Sequence, residues 1–557
     1  MIIHRPLAAL ATLASFAAPM EAQSQPGHVN DETLISEGMG GFPGPLQAGD
    51  AFGTSLTVVG DVNGDGIDDM IVGAPGTDIG GSSAGGLWIL YMAANGTVSG
   101  SSQINNSVGS LPMILDAGDR FGSAVAAAGD LDGDGVPDVW VGASGDDEGA
   151  PFNAFNGPGA LFAVRLLSSG NVKNVTKYSL SNGMPLDLEG AFGFSVAVVG
   201  DVDGDSTYEV AVGSPFDDAD GSSRGAVWLL SSFVRYASDE GQLTPNVSDE
   251  AYFGISVAGL GDLDGNGTAD FAVGASQESV NGMWDGSFWV YLTDSGGGLN
   301  SIQRVDANNA AFGGNGPGGL DRFGRSLAMI GDVDGDGDND LAVGADGGGL
   351  FNEGTVWILR LGNPLGTLVE GVSQIDNSNG HLAHLLGSSD SFGAALAPLG
   401  DWDGDGNVDL AVGLTGHDSG VSNVGAIINL NLRGPTFIDL GSELWGNLQP
   451  ELAATGSLIP GSTYKVLLEG GPISDVAHLV LGFSQANVPF RGGVLVPFPD
   501  FILLGLPTNG SGQIALIGPW PAGIPIGFPT NAQYWMEDAG APVGWAASNG
   551  LALVAGG

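Results

Sequence analysis

The amino-acid sequence predicts an all-β protein built from a repeated unit of four short strands. A nine-residue acidic loop occurs six times, and apolar runs of strand length alternate with glycine-rich turns. No cysteine is present, so no disulfide can staple the fold. Repeats of this size, each with several short strands, are typical of a propeller or a solenoid rather than of independent domains.

The acidic loops carry side-chain oxygens at positions 1, 3, 5 and 9, with glycine between them. The six copies are DVNGDGIDD (61–69), DLDGDGVPD (130–138), DVDGDSTYE (201–209), DLDGNGTAD (262–270), DVDGDGDND (332–340) and DWDGDGNVD (401–409). Calcium takes about six to eight oxygen ligands in flexible geometry. Acids this close in sequence would repel one another without a cation. Each loop is therefore predicted to bind a calcium ion.

The predicted ligands are the side chains at positions 1, 3, 5 and 9 and the carbonyl at position 7. They are Asp61, Asn63, Asp65, Ile67, Asp69, Asp130, Asp132, Asp134, Val136, Asp138, Asp201, Asp203, Asp205, Thr207, Glu209, Asp262, Asp264, Asn266, Thr268, Asp270, Asp332, Asp334, Asp336, Asp338, Asp340, Asp401, Asp403, Asp405, Asn407 and Asp409. This predicts about six structural calcium ions and no other cofactor. Asn63 and Asn266 each remove a charge. The third loop has Ser206 for glycine and Glu209 for aspartate, so its turn is strained or its reach is longer. These three loops are expected to bind more weakly.

Charge and the N-terminus limit the partners and the compartment. The chain has 63 acidic residues against 14 Lys and Arg, a net charge of −49, which disfavours nucleic acids and anionic membrane surfaces as partners. Residues 1–22 have the layout of a cleaved signal peptide: Arg5, an apolar run over 7–20, and Ala22 before the cleavage point. No later segment is long and apolar enough to span a bilayer. We expect a secreted or cell-surface monomer, of bacterial type.

Each acidic loop lies in a longer frame. Phe-Gly precedes the loops, at Phe52-Gly53, Phe121-Gly122, Phe192-Gly193, Phe253-Gly254, Phe323-Gly324 and Phe392-Gly393. A short strand ending in Val-Gly follows, at Val72-Gly73, Val141-Gly142, Val212-Gly213, Val273-Gly274, Val343-Gly344 and Val412-Gly413. A variable loop then leads into an apolar strand, such as Leu87-Trp88-Ile89-Leu90, and a polar strand, such as Ser102-Gln103-Ile104-Asn105, completes the unit.

This frame resembles the FG-GAP repeat of the integrin α-subunit head and its bacterial relatives, over roughly residues 30–433. The resemblance implies a calcium-stabilised β-propeller with ions in the loops that join the first two strands of each blade. The segment 32–36 precedes the first Phe-Gly, and the last repeat ends near Leu432 without a fourth strand. Pairing the two would close a ring of six blades and hide both edges. Integrin heads have seven blades, so a seventh drawn from the C-terminal region is the alternative.

The predicted domains are a signal peptide (1–22), the propeller (23–434) and a C-terminal β-sandwich-like domain (435–557). The last region loses the acidic loops, and strands are predicted at 444–452, 463–468, 479–483, 501–506, 514–517 and 532–536. Large aromatics dominate small β cores. We therefore expect core positions rather than a binding platform for Trp445, Trp520, Trp535 and Trp545.

No catalytic constellation is predicted. The serines that follow Phe-Gly have no base beside them in sequence and are assigned to strands; they are Ser55, Ser123, Ser195, Ser256 and Ser326. His381, His384 and His417 lie in loops expected on the face opposite the acidic loops. They could approach one another in a transition-metal or acid–base site, or simply be solvated.

That opposite face is the predicted recognition surface, because its loops vary between repeats. They carry acids and the aromatics Phe152, Phe155, Phe216, Trp284 and Phe351, which suit a glycan or protein ligand or pack on one another. The leading hypothesis is a non-enzymatic adhesion or recognition module. A propeller polysaccharide lyase or hydrolase and a structural surface or matrix component are the alternatives. The scarcity of Lys and Arg argues against an anionic polysaccharide substrate.

Overall fold

The structure is a computed structural model that describes most of the chain from residue 26 onward. The residues it does not describe are 1–25, 80, 113–114, 148–156, 219–220, 231–233, 238–246, 281–283, 295–297, 335, 350, 363, 365, 381, 403–406, 420–421, 433–436, 442–450, 457–462, 470–475, 483–484, 491–492, 498–500, 510–513, 520–528, 539–544, 549 and 555–557. The described residues form β-strands and two short 3₁₀ helices, Leu180–Asn182 and Ala310–Phe312. None of their helices is long and apolar enough to cross a membrane.

Six antiparallel four-stranded sheets are formed by the described residues up to Leu432. β1 (Val29–Ile35) opens the chain and belongs to the sixth sheet. The first sheet is β2 (Ser55–Gly60), β3 (Asp69–Gly73), β4 (Leu87–Met92) and β5 (Val98–Ile104). The second is β6 (Phe121–Gly129), β7 (Asp138–Ala143), β8 (Ala160–Leu166) and β9 (Val172–Ser179), and the third is β10 (Ser195–Gly200), β11 (Glu209–Ser214), β12 (Ala226–Leu229) and β13 (Val234–Ala237).

The remaining three sheets repeat the same order. The fourth is β14 (Phe253–Gly261), β15 (Asp270–Ala275), β16 (Ser287–Thr293) and β17 (Leu299–Asp306). The fifth is β18 (Ser326–Gly331), β19 (Asp340–Ala345), β20 (Thr355–Leu361) and β21 (Val369–Ile375), and the sixth is β22 (Phe392–Gly400), β23 (Asp409–Leu414) and β24 (Ala426–Leu432) with β1. In each sheet the second strand is buried on both faces, which explains its continuous apolar sequence.

The sheets form a closed ring. The first strand of each sheet contacts that of the next, and β22 contacts β2. β1 pairs antiparallel with β24, Thr33 opposite Asn429, so the N-terminal strand completes the last sheet as the sequence predicted. A cavity of about 100 Å³ lies among the residues that follow Phe-Gly in all six sheets. The predicted all-β propeller class is confirmed.

The recurring motifs join neighbouring sheets. Each Phe of Phe-Gly is fully buried and bridges to the glycine that precedes the third strand of the preceding sheet, as Phe121 does to Gly85. The same contact between Phe52 and Gly425 closes the ring. The Val-Gly glycine lies directly against the Phe-Gly glycine of the next sheet, so a Cβ on Gly213 would overlap the carbonyl oxygen of Gly254. The spacing between Phe-Gly and Val-Gly is therefore an inter-sheet packing requirement.

The chain divides into two compact units, Pro26–Pro435 and the region from Thr436 onward. The strands of the second are β25 (Phe437–Gly441), β26 (Glu451–Gly456), β27 (Thr463–Glu469), β28 (Val476–Gly482), β29 (Gln485–Phe490), β30 (Gly493–Pro497), β31 (Phe501–Pro507), β32 (Ile514–Pro519), β33 (Pro529–Glu537), β34 (Trp545–Ala547) and β35 (Gly550–Val554). One sheet has the order β25-β35-β33-β28-β31 with β34 beside β33, another is β26-β27-β32, and β29 pairs with β30.

Most of the C-terminal strand predictions agree with this unit, whereas β25, β29, β30, β34 and β35 were not predicted. Trp535 is buried beside Val480, so its prediction as a core residue is confirmed. Trp545 is partly buried and packs on the same cluster. Trp445 and Trp520 lie outside the described residues.

Candidate functional site

All six acidic loops connect the first and second strands of their sheets in one register. Gly60 pairs with Asp69, and the equivalent glycine and position-9 acid pair in every other sheet. In an antiparallel meander, the loops after the first and third strands share one end of the sheet. We call that end the acidic-loop face. The loops after the second and fourth strands form the opposite face, and they hydrogen-bond across sheets, as Arg120 N–H does to the Ser83 carbonyl.

The position-1 carboxylates shape the loops. The two oxygens of Asp61 accept backbone N–H groups from the loop, including those of Asp65 at 3.1 Å and Gly66 at 2.8 Å. The same two bonds recur in the next four loops, at Asp130, Asp201, Asp262 and Asp332. Ser206, at the glycine position of the third loop, has φ of 71°, so the predicted strain there is confirmed. The first acid of each of these five loops thus curls the backbone of the same loop around its carboxylate.

The position-9 acids are buried at the base of the loops. Asp69 accepts the Val62 N–H at 3.0 Å and, from the end of the third strand, the Met92 N–H at 3.1 Å. Asp138, Asp270 and Asp340 make the same pair of bonds. Burial raises the pKa of Asp69 and Asp270 to about 6, and that of Asp340 to about 7, against the opposing effect of these backbone donors. Ionising such a group without a cation is costly.

Donor oxygens converge within the loops. In loops two, three and four, the acids at positions 1, 3 and 9 place one oxygen each within 4.8 Å of the others, and in loop five those at positions 1, 3 and 5 do so. The sets are Asp130, Asp132 and Asp138; Asp201, Asp203 and Glu209; Asp262, Asp264 and Asp270; Asp332, Asp334 and Asp336. Hard oxygen donors at this spacing could hold a divalent cation. Asp403 and Asp405 of the sixth loop lie outside the described residues.

Two basic residues near the loops were not anticipated. The Lys173 ammonium, from β9, lies 2.8 Å from Asp132 and 2.7 Å from Asp134, and the side-chain hydrogen bonds with both acids raise its pKa. Arg360, from β20, lies 3.7 Å from Asp334. Both approach a position-3 acid from a later strand of the same sheet. Lys173 is the second residue of β9, which places it at the end of the sheet that carries the acidic loop. The sequence alone did not show that its side chain reaches the acids of that loop.

The serines after Phe-Gly are structural, as predicted. The hydroxyl of Ser195 donates to the Gly254 carbonyl at 2.8 Å, and those of Ser55, Ser123, Ser256 and Ser326 bond to the corresponding glycine of the next sheet. These bonds join sheets around the central cavity, and within the described part of the chain none of these hydroxyls is paired with a base. Ser123 lies one residue earlier than the other four serines, and the position equivalent to those four is Ala124 in the second sheet and Ala395 in the sixth.

The opposite face contains a second, buried set of acids that sequence reasoning missed. Asp119 lies two residues before Phe-Gly, is 5% exposed, and accepts the Asp116 N–H at 2.7 Å. Burial, with the charges of Asp146 and Asp116, raises the pKa of Asp119 to about 7. Asp146 itself pairs with Lys177 at 2.7 Å. The recurrence of Asp two residues before Phe-Gly in four repeats was the available signal.

The Asp119→Asn variant should be more stable than the wild-type protein, and its advantage should increase as pH rises. The folded-state pKa of about 7 lies above the unfolded value of about 3.9, so the carboxyl stabilises the fold at low pH and loses that contribution as pH rises towards 7. The variant is expected to gain about 1–3 kcal/mol relative to wild type between about pH 5 and pH 8. Urea unfolding at both pH values measures it. The matched control is Glu189→Gln, an exposed acid on the same face, and an equal response of the two variants would contradict the assignment.

The histidine and aromatic predictions for this face are met in part. The rings of His384 and His417 lie 5.8 Å apart, whereas His381 is outside the described residues. Trp284 and Phe351 are exposed, but Phe216 packs between Phe194 and Tyr252 and is not a free aromatic. Phe152 and Phe155 lie outside the described residues.

Comparison with known proteins finds similarity to the FG-GAP repeat and to integrin α subunits. Four stretches match the model of the FG-GAP repeat, 52–90, 192–230, 253–291 and 323–359. Integrin alpha-PS2 of Drosophila melanogaster is 33% identical over 250 residues, 43% of this chain and 16% of that protein. Integrin alpha-4 of Xenopus laevis is 34% identical over 182 residues, 30% of this chain and 16% of that protein. Integrin alpha-IIb of Mus musculus is 30% identical over 282 residues, 46% of this chain and 25% of that protein.

A closed ring of four-stranded antiparallel sheets defines a β-propeller, and in this one an acidic loop joins the first two strands of each sheet. The matched repeats and the relatives support an FG-GAP repeat propeller protein of the integrin α type. The second and sixth repeats lie outside the matched stretches, yet their sheets have the same strand order. The chain spans between about one sixth and one quarter of the length of these relatives.

Proposed function

We propose that this protein is a secreted adhesion or recognition module that binds a protein or glycan ligand on its opposite face and uses calcium to hold its fold. The observation that carries the proposal is the contrast between the two ends of the ring. One end repeats a single acidic loop with little change, whereas the other presents a different set of side chains from each sheet. Variable loops on a rigid scaffold are where binding residues concentrate.

Calcium is the proposed ion of the acidic loops. The donors are carboxylate and amide oxygens, which suit calcium better than a transition metal. Position-9 acids buried beside other carboxylates favour a dication, because its charge offsets the cost of ionising them. The ion would tie the loop to the second and third strands, and no chemistry is assigned to it. About six ions, one for each loop, remain a prediction from the sequence.

The proposed ligand surface is an exposed apolar strip on the opposite face of sheets four to six. We call it the apolar arc, formed by Trp284 (46% exposed), Leu320 (50%), Phe351 (64%) and Leu385 (76%). Backbone hydrogen bonds between neighbouring loops hold these residues in place. The Leu320 N–H donates to the Trp284 carbonyl at 3.1 Å, and the Ser389 N–H donates to the Phe351 carbonyl at 2.9 Å. Exposed aromatics held on ordered backbone suit a protein or glycan partner.

Arrays of glycans and extracellular proteins, probed in millimolar calcium with and without EDTA, test this function. We expect calcium-dependent binding that Trp284→Ala and Phe351→Ala each weaken at least about tenfold. Tyr208→Ala is the matched control, since Tyr208 is an aromatic exposed to 74% on the acidic-loop face. Binding that survives both arc variants, or the absence of any ligand in calcium, would refute the proposal.

A non-enzymatic role is part of the proposal. It is supported by the inter-sheet bonding of the serines and by the similarity to integrin α subunits over the matched residues. Secretion is based on the signal peptide predicted for residues 1–22, and the domain limits at 23–434 and 435–557 remain predictions.

A further inference from the structure

Two histidines and one acid converge on the opposite face of the sixth sheet. His384 and Asp390 lie in the connection from β21 to β22, and His417 lies in the loop from β23 to β24. Each contributes a ligand-type atom, and these atoms lie within 4.8 Å of one another. We infer that His384, Asp390 and His417 together bind one transition-metal ion such as Zn²⁺. This site is separate from the calcium sites proposed for the acidic loops.

The distances fit metal ligands better than a hydrogen bond. His417 Nδ1 lies 3.6 Å from Asp390 Oδ1, which is longer than a hydrogen bond. Two ligands of a tetrahedral zinc ion, at bond lengths of about 2.1 Å, lie about 3.4 Å apart. His417 Nδ1 is buried and has no hydrogen-bond partner among the residues that the structure describes. A metal ion would satisfy this nitrogen, and the ligand atoms of all three residues already lie within 4.8 Å of one another.

The acid is already held in place by the fold. Asp390 Oδ2 accepts the Gly387 N–H at 2.7 Å, which leaves Oδ1 turned towards His417. The same turn occurs at Asp50, Asp119 and Asp321, each of which accepts the N–H three residues earlier. The position of Asp390 is therefore a general property of the repeat, and the two histidines are what distinguishes the sixth sheet.

Equivalent loops elsewhere contain a side-chain cation instead of a metal site. The positions that correspond to His417 in sheets two and three are Asp146 and Asp217, which pair with Lys177 at 2.7 Å and Arg235 at 2.6 Å from the outer strands β9 and β13. The outer strand of the sixth sheet is β1, whose sequence VNDETLI has no Lys or Arg. A bound metal ion would supply, beside Asp390, the positive charge that a Lys or Arg of the outer strand supplies in sheets two and three.

β1 also positions one of the proposed ligands. The Glu32 carboxylate accepts the backbone N–H groups of Ala383, at 3.0 Å, and of His384. These bonds hold the segment that carries His384 against the sixth sheet. Two imidazoles and a carboxylate are the donor set of zinc and related transition metals, and a fourth position stays available for water or an external ligand.

Cobalt titration of the full chain, without a histidine tag and saturated with calcium, tests the inference. Saturating calcium occupies oxygen sites, so visible absorption of tetrahedral Co²⁺ reports a nitrogen-containing site. We expect one Co²⁺ per chain, displaced by Zn²⁺. His384→Gln and His417→Gln should each weaken binding by more than the roughly 10–100-fold typical of losing a supporting residue.

The controls separate a metal site from a structural contact. His478→Gln changes a histidine of β28, in the other compact unit, and should leave Co²⁺ binding unchanged. Thermal unfolding in calcium checks that the variants fold. If His417→Gln fails to fold, then His384→Gln, together with Asp390→Asn, decides the result. Absence of tetrahedral Co²⁺ absorption in wild type, or unchanged binding in the His384 variant, would overturn the inference.

Discussion

Replacing Gly213 with alanine is expected to destabilise the protein by about 3 kcal/mol or more. The added Cβ would overlap the Gly254 carbonyl oxygen and the Ser195 hydroxyl, which are themselves hydrogen-bonded at 2.8 Å. The obstacle is backbone of the next sheet rather than the end of a flexible side chain, so relief requires the two sheets to separate. Urea or thermal unfolding of the full chain measures the loss.

Gly100→Ala is the matched control for this substitution. Gly100 lies in β5 with ordinary backbone angles, and an added Cβ would meet only Tyr91 Cδ2 at 3.5 Å. That variant should be neutral or slightly stabilising, because alanine lowers the entropy of the unfolded chain. Equal stability of Gly213→Ala and Gly100→Ala would show that the close approach between sheets three and four is not a constraint of the fold.

Removing calcium is expected to produce the second large effect, a fall in melting temperature of more than about 10 °C. An ion that binds only the native state stabilises it by about 2.7 kcal/mol at a hundredfold excess over its dissociation constant, and several loops contribute. Differential scanning calorimetry with calcium and with EDTA measures the difference. An unchanged melting curve in EDTA would contradict the calcium proposal for the acidic loops.

The calcium effect should also grow as pH rises from about 5 to 8. The pKa of Asp340 is raised to about 7 by burial, so ion-free protein is most stable when this carboxyl is protonated and loses stability as pH rises towards 7. Calcium needs the ionised form and therefore binds more tightly at higher pH. Asp340→Asn is expected to reduce both the calcium effect and its pH dependence, whereas Asp68→Asn, at a loop position that is not a predicted ligand, is the control.

Local patterns were enough to predict the strands of the six repeated sheets, although not β25, β29, β30, β34 and β35 of the C-terminal unit. Glycine-rich turns separate the strands of each repeat, and the first five acidic loops fold through bonds from the first acid to the backbone of the same loop. The N-terminal strand that completes the last sheet was also predictable, since one repeat lacked a strand and one end of the chain supplied a spare one.

Contacts between distant residues were not predictable in the same way. The Lys173 ammonium reaches Asp132 and Asp134 across about forty residues, and its alternation in β9 does not show how far along the sheet the side chain extends. The rings of His384 and His417 lie 5.8 Å apart although they belong to different loops. Glu32 of β1, about 350 residues earlier in the chain, accepts backbone N–H groups from the segment that carries His384. Phe351 is exposed whereas Phe216 is partly buried between two other rings, and this difference depends on which neighbours each loop meets.

The all-β repeat class, the position of every acidic loop and the six copies of the repeated motifs follow from the amino-acid sequence, because they depend on short segments whose residues interact with one another. Three features appear only in the folded chain: Phe-Gly and Val-Gly make contacts between sheets, the position-9 acids are buried, and two histidines lie beside Asp390. Closure of the ring brings particular loops next to one another, and the burial and pairing of side chains on each face depend on those neighbours.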